Sequence, residues 1–175
     1  PALAAVGGNR AGIFVYPEDN MSIVILTNLM GAMPSQFVDE IAGFYIPEMK
    51  QENGFGLPKN IKRLWQVLEV QGYENAIAAA DQLSKEKKIQ FAENDINLWG
   101  YSLINQDKLN EALAVFKLNT HLYPNSYNSF DSLAEAYWYL GNLKQAIANY
   151  NQVLKLKPDN AHAKKQLAKL AELIQ

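Results

Sequence analysis

The chain of 175 residues contains no cysteine, which excludes disulfides, thiolate metal sites and cysteine nucleophiles together. Long apolar runs are missing too. Stretches such as Ala112–Phe116 reach five residues, far short of the ~20 that a membrane helix needs, so no membrane insertion is expected. Charge of one sign is also lacking. Sixteen basic residues face 18 acidic ones, for a net charge of −2 and a pI near 5.7, so no basic surplus favours nucleic acid or an anionic surface. The two histidines, His121 and His162, are far apart and have no ligand spacing; neither a metal nor a cofactor is expected. No signal peptide is visible, and a start of Pro1-Ala2-Leu3 reads as a piece of a longer protein.

What is present divides in two. Residues 1–58 hold two basic residues against six acidic ones, while the rest holds 14 against 12. The stretch Asn53-Gly54-Phe55-Gly56-Leu57-Pro58 marks the change with residues that interrupt regular structure. Two domains are therefore expected, 1–58 and 59–175. In the first, Gly12–Tyr16 and Met21–Thr27 are rich in β-branched and aromatic residues, with turn residues Pro17–Asn20 between them. The near-continuous apolar run of the second strand predicts burial on both faces. A helix opens at Pro34-Ser35, with Phe37, Val38, Ile41, Ala42, Phe44 and Tyr45 on its apolar face, and stops at Pro47.

Beyond Pro58 the pattern is helical and repeats. A shift of 34 residues brings Ala112 onto Ala146, Phe116 onto Tyr150 and Tyr123-Pro124-Asn125 onto Lys157-Pro158-Asp159. In Tyr127–Asn160 the residues Phe130, Leu133, Ala134 and Tyr137 precede a turn glycine, Gly141, and then Ala146, Tyr150 and Pro158. The preceding copy, Glu93–Ser126, carries Ile96, Trp99, Gly100, Leu103, Ala112, Phe116 and Pro124. This order of small, aromatic and proline positions resembles the tetratricopeptide repeat (TPR). The resemblance implies a mainly α fold, a superhelix of about two and a half α-α hairpins with a cap helix, preceded by a β-hairpin and helix. Small residues let paired helices approach, aromatics fill the gap and proline ends the second helix. Lys59–Lys87 reads as a degenerate hairpin whose glycine-to-alanine gap is one residue shorter. Ala161–Ile174 repeats the first-helix pattern with Leu167, Ala168 and Ala171, and a polar face of Lys164, Lys165, Lys169 and Glu172 suits a cap.

The first segment carries a second resemblance. Gly7-Gly8-Asn9-Arg10-Ala11-Gly12 and the strand ending Leu26-Thr27-Asn28 are similar to the C-terminal end of a serine β-lactamase-like domain, the class C β-lactamase, penicillin-binding and esterase group. That resemblance implies a bacterial serine-hydrolase parent, exported or periplasmic. Ala4, Ala5 and Val6 stand where that family carries a basic residue before the glycines. Its nucleophile lies in S-x-x-K. The string that fits, Ser84-Lys85-Glu86-Lys87, falls in a charged helix end, and Tyr73-Glu74-Asn75 and Tyr123-Pro124-Asn125 fall in repeat turns. Adjacent Asp39 and Glu40 point to different helix faces, and Gly7-Gly8 lacks the Lys-Ser/Thr of a phosphate loop. No catalytic residue is expected in this chain, and the enzymatic status of the parent stays open.

The TPR resemblance implies a groove lined by first helices. Its positions here are Asn94, Asn97, Tyr101, Ile104 and Asn105, then Asn128, Asp131, Glu135, Trp138 and Tyr139, then His162, Lys165 and Lys169. Asparagines pair with peptide backbones, and Tyr and Trp supply contact area at low entropy cost. The TPRs that clamp a terminal carboxylate use Lys and Asn, whereas Asn97 and Tyr101 hold the matching places, so binding of chaperone tails is not expected. The leading expectation is a non-catalytic module that binds a protein, a peptide or the parent's own catalytic domain. The alternative is a portion of an active serine hydrolase with its nucleophile elsewhere. An apolar hairpin with open edges also implies a homodimer through the N-terminal strands.

Overall fold

Strand formation at the N-terminus extends beyond the two segments expected. The computed structural model describes residues 2–6, 9–16, 20–27, 35–46, 54 and 57–173. They divide into two units, Pro1–Leu57 and Pro58–Gln175. In the first unit β1 (Ala2–Val6), β2 (Asn9–Tyr16) and β3 (Met21–Thr27) form an antiparallel sheet in that order. The third strand, β1, pairs Leu3 with Gly12 and Val6 with Asn9; its alanine-rich sequence carries too weak a strand signal to be read alone. Asn20 takes a φ of 50° at the turn before β3, a conformation that Asn tolerates. Helix α1 (Ser35–Tyr45) supplies Val38 and Ala42 to a small core with Phe14 and Ile23, which pair across β2 and β3.

Two expectations fail in this unit, for one reason. Among the described residues β3 is an edge strand and only the sheet face under α1 is covered, so Ile23 is buried while Val24 and Leu26 are 58% and 75% exposed. In α1 the covered stripe is Val38, Ile41 and Ala42, whereas Phe44 and Tyr45 are exposed. The side chain of Phe37, and Pro17, Asn28, Pro34 and Pro47, lie outside the described residues.

The helical unit consists of hairpins. Helices α2 (Lys59–Gln71) and α3 (Ala76–Lys87) form the first, α4 (Glu93–Asn105) and α5 (Leu109–Leu122) the second, and α6 (Tyr127–Tyr139) and α7 (Leu143–Leu156) the third. Helix α8 (Ala161–Leu173) follows. Asparagine side chains cap two of the later helix starts. Asn142 Oδ1 accepts from Gln145 N at 3.2 Å and Asn160 Oδ1 from Ala163 N at 2.9 Å. The turn between α6 and α7 needs a left-handed residue: Gly141 supplies it with φ 72°, and Asp107, 34 residues earlier, with φ 58°. In the first hairpin a 3-10 turn, Tyr73–Asn75, takes up the shorter gap. Ala76, Ala80 and Leu83 are thereby buried where Ala146, Tyr150 and Val153 stand in the last hairpin.

The core repeats with the sequence. Ala134, Ala146, Tyr150, Val153, Ala163 and Leu170 form one fully buried cluster spanning α6, α7 and α8. In α8 the burial shifts to Ala163 and Leu170, while Ala168 and Ala171, expected at packing positions, are exposed. No described element packs on that side of α8, so the small residues there have nothing to approach. A close approach between paired helices lies at Gly100. A Cβ at that position would stand 2.5 Å from Cε1 and Cζ of Phe116. Gly100→Ala is accordingly expected to lower the melting temperature, at a cost of about 1–3 kcal/mol from overpacking. The double variant Gly100→Ala/Phe116→Leu should recover part of that loss in calorimetry. An unchanged melting temperature in the single variant would mean that the ring yields without cost.

Candidate functional site

Residues 34 apart occupy equivalent places on successive first helices, so side chains line up in rows across α4, α6 and α8. One row holds Asn94, Asn128 and His162, a second Asn97, Asp131 and Lys165, and a third Tyr101, Glu135 and Lys169. Within each helix these places lie three or four residues apart and therefore share one face. The rows are joined by hydrogen bonds. Tyr101 Oη donates to Glu135 Oε2 at 2.7 Å and lies 3.2 Å from Ser132 Oγ. Tyr139 Oη donates to Glu135 Oε1 at 2.9 Å, so both oxygens of this carboxylate accept a phenol proton. His162 Nδ1 lies 3.1 Å from both oxygens of Asp131. Gln166 Nε2 stands 2.7 Å from His162 Nε2; an amide donor there leaves the other ring nitrogen to carry the proton toward Asp131.

These expected positions do not all join. Tyr101, Asp131, Glu135, Tyr139 and His162 come together, and Asn128 reaches Glu93 Oε1 at 3.4 Å. Asn94, Asn105, Lys165 and Lys169 are exposed and make no hydrogen bond or ion pair among the described residues. Asn97 is half-buried, with its Oδ1 buried and unpartnered. Ile104 is half-buried, and Trp138 packs partly against the α6–α7–α8 cluster, so its indole serves the core at least as much as the open face.

Sequence reading alone missed four contributors. Ser132 and Gln166 have no distinguishing pattern. Glu93 is met as a helix-start acid, yet its Oε1 accepts from Ser126 Oγ at 2.5 Å. Tyr150 reads as a packing aromatic, but the preceding copy has Phe116 at that place, and the additional hydroxyl is the signal that was available. This residue is fully buried, its hydroxyl has no partner among the described residues, and its ring meets His162 edge-on at 6.2 Å.

The two carboxylates of α6 stand at the centre of the face, and Lys165 and Lys169 of α8 lie exposed on it. Burial raises the Asp131 carboxyl above its ordinary range, against the opposing effect of His162, and the Glu135 charge adds to the rise. Burial raises the Tyr101 phenol; Ser132 opposes this and Glu135 adds to it. Tyr150 rises through burial first and then through the charges of Asp131 and Glu135, and Tyr139 through its hydrogen bond to Glu135 first. Three neutral phenols thus surround two carboxylates on one helix. No group of three His, Asp or Glu side chains able to hold a metal occurs among the described residues.

The hydrolase-like strings fall elsewhere. Tyr73 Oη donates to Glu69 Oε1 at 3.1 Å and its ring packs on Trp99. Tyr123 Oη donates to the Phe91 carbonyl at 2.6 Å. Ser84 sits in the last turns of α3, beside exposed Lys85 and Lys87. A separate cleft of about 720 Å³ is lined by Glu69, Tyr73, Ile77, Lys108, Glu111 and Lys117.

Residues 134–170 match the family model of the TPR repeat. No curated protein matches the chain significantly. Similar solved structures include the first TPR of Spaghetti (RPAP3) bound to the HSP90 peptide SRMEEVD. It is 18% identical with a TM-score of 0.46, over 65% of this chain and 88% of that one. The second TPR domain of human RPAP3, in complex with the HSP70 peptide SGPTIEEVD, is 20% identical with a TM-score of 0.45, over 64% and 92%. A MamA RS-1 double mutant is 19% identical with a TM-score of 0.44, over 78% and 75%. The repeat assignment rests on the family match and on the 34-residue register of the packing.

A raised carboxyl pKa costs folding stability wherever the group must ionise. That cost is absent below the unfolded-state value and grows as pH rises toward and through the folded-state value. Asp131→Asn removes the ionisation and keeps the shape. Its melting temperature relative to the unmodified protein is therefore expected to increase from about pH 4 to about pH 7. A difference that stays constant or shrinks over that interval would refute the burial argument for Asp131.

Proposed function

We propose that the helical unit is a protein- or peptide-binding TPR module that receives its partner on the face shared by α4, α6 and α8. The observation that carries this reading is the network Tyr101–Glu135–Tyr139 with Asp131–His162. It gathers polar and aromatic side chains from three successive first helices, while the packing residues of the same helices turn to the core. Aromatic hydroxyls and half-buried carboxylates on rigid helices suit recognition of an extended chain.

The first unit is, on this reading, the C-terminal end of a serine β-lactamase-like domain. The strands Asn9–Tyr16 and Met21–Thr27 and the helix Ser35–Tyr45 against them support it. The bound partner is then a separate peptide or the parent's own catalytic domain. Pairing of two copies through the open edges of the sheet is a further route to association. The second reading, a portion of an active serine hydrolase, is favoured by the two antiparallel strands that follow the glycine pair.

Two experiments test these readings. Titrating the isotope-labelled full chain with a pooled random-peptide library should shift backbone amides of α4, α6 and α8. Tyr101→Ala/Tyr139→Ala should abolish those shifts with the circular dichroism intact. Shifts confined to α5 and α7, or none, would remove the proposal, and a dimeric mass by light scattering would point to a second copy instead. Separately, the chain should form no acyl adduct with penicillin or a fluorophosphonate; a stoichiometric adduct on any serine, Ser84 included, would reinstate the hydrolase reading.

A further inference from the structure

The unsatisfied polar atoms of the helical unit concentrate on one face. Four buried side-chain atoms lack a hydrogen-bond partner among the described residues: Asn97 Oδ1, Asn119 Oδ1, Tyr150 Oη and Gln166 Oε1. Asn119 Oδ1 belongs to a core position of α5. Two of the others lie on the α4 and α8 faces that flank Asp131 and Glu135, and the Tyr150 hydroxyl feels Asp131 and Glu135 as its strongest neighbouring charges. All of them are oxygens, and each can accept a hydrogen bond.

The two carboxylates stand one helical turn apart on α6. Each oxygen of Glu135 already accepts from one phenol, and each oxygen of Asp131 lies within reach of one imidazole nitrogen. A carboxylate oxygen accepts about two hydrogen bonds, so both groups retain capacity. Neither makes an ion pair with a lysine or arginine among the described residues. Lys165 and Lys169 occupy the same repeat places on α8, and they remain exposed and unpaired. The centre of the face therefore presents two carboxylates, two idle amide oxygens and one unpaired phenol that can donate or accept. An unpaired buried acceptor costs free energy that a ligand donor can recover.

We infer that this face binds a basic peptide by seating a lysine or arginine side chain between Asp131 and Glu135, beside the unpaired Tyr150 hydroxyl. This inference rests on the peptide-binding reading above and adds the chemistry of the ligand. An ammonium or guanidinium group brings several donors and the positive charge that the site lacks. An acidic peptide brings the opposite and is repelled by both carboxylates.

The test uses the full chain and fluorescein-labelled peptides of alternating alanine and lysine, with norleucine and glutamate versions of equal length, and spermine as a free amine. Amide shifts locate binding and anisotropy measures it. The lysine peptide should shift Tyr101, Asp131, Glu135 and Tyr139, and Asp131→Asn/Glu135→Gln should weaken it by roughly ten- to a hundredfold with circular dichroism intact. Glu69→Gln/Glu111→Gln, an equal charge change in another cleft, should leave it nearly unaltered, and Lys165→Ala/Lys169→Ala should tighten it. Equal weakening by Glu69→Gln/Glu111→Gln would reduce the effect to net charge and overturn the inference. Binding of the norleucine or glutamate peptide at the same face with equal strength would overturn the cation site while leaving the peptide-binding reading standing. Spermine matching the peptide's affinity would overturn the peptide as ligand. No shift on α4, α6 and α8 with any peptide would overturn both.

Discussion

Paired helices approach closely where one presents a place with almost no side chain and the other a large one. In the second hairpin that place is Gly100, which lies under the ring of Phe116 with no room for a methyl group. In the third, Ala134 and Tyr150 are both fully buried at the corresponding places. The rows of side chains across the helical unit depend on this contact. It makes each hairpin nearly the same shape as the next, and equal shapes stack so that residues 34 apart fall into rows. A hairpin set one side chain wider would move Tyr101 away from Glu135 and leave the network unmade.

The network in turn explains why the face is not packed to the satisfaction of its own polar groups. Asp131 is held in a setting where burial raises its pKa, and Tyr150 keeps a hydroxyl that Phe116, its counterpart, does without. For stability alone, phenylalanine would serve at position 150 and asparagine at position 131. Both positions therefore carry a cost in stability. The N-terminal unit shows the same tension in apolar form. Ile13, Val15, Val24 and Leu26 are exposed on the sheet face opposite α1.

Much of the helical unit was legible in the chain itself. The 34-residue register, the small residues at 100 and 134, and the turn position shared by Asp107 and Gly141 all place helices and turns without reference to coordinates. They are local or periodic signals, and each repeat confirms the other. Readings that depended on a neighbour were less secure. The run Met21–Thr27 is apolar enough for two-sided burial, yet among the described residues only one sheet face is covered, which exposes alternate residues. Ala168 and Ala171 have the right size for close packing, yet no described element packs against them.

The candidate face divides along the same line. Spacing determines that Asn97, Asp131 and Lys165, or Tyr101, Glu135 and Lys169, share a row, because helical periodicity and the repeat length place them there. Which members of a row touch was decided only by tertiary packing. Glu135 accepts from two phenols, Asp131 meets His162, and Lys165 and Lys169 pair with neither. The difference has a physical cause. Position along a helix follows from backbone geometry that every residue shares, whereas hydrogen bonding, burial and the resulting charge preferences depend on distances between chain segments tens of residues apart. Those distances exist only once Gly100 and Ala134 have let the helices close.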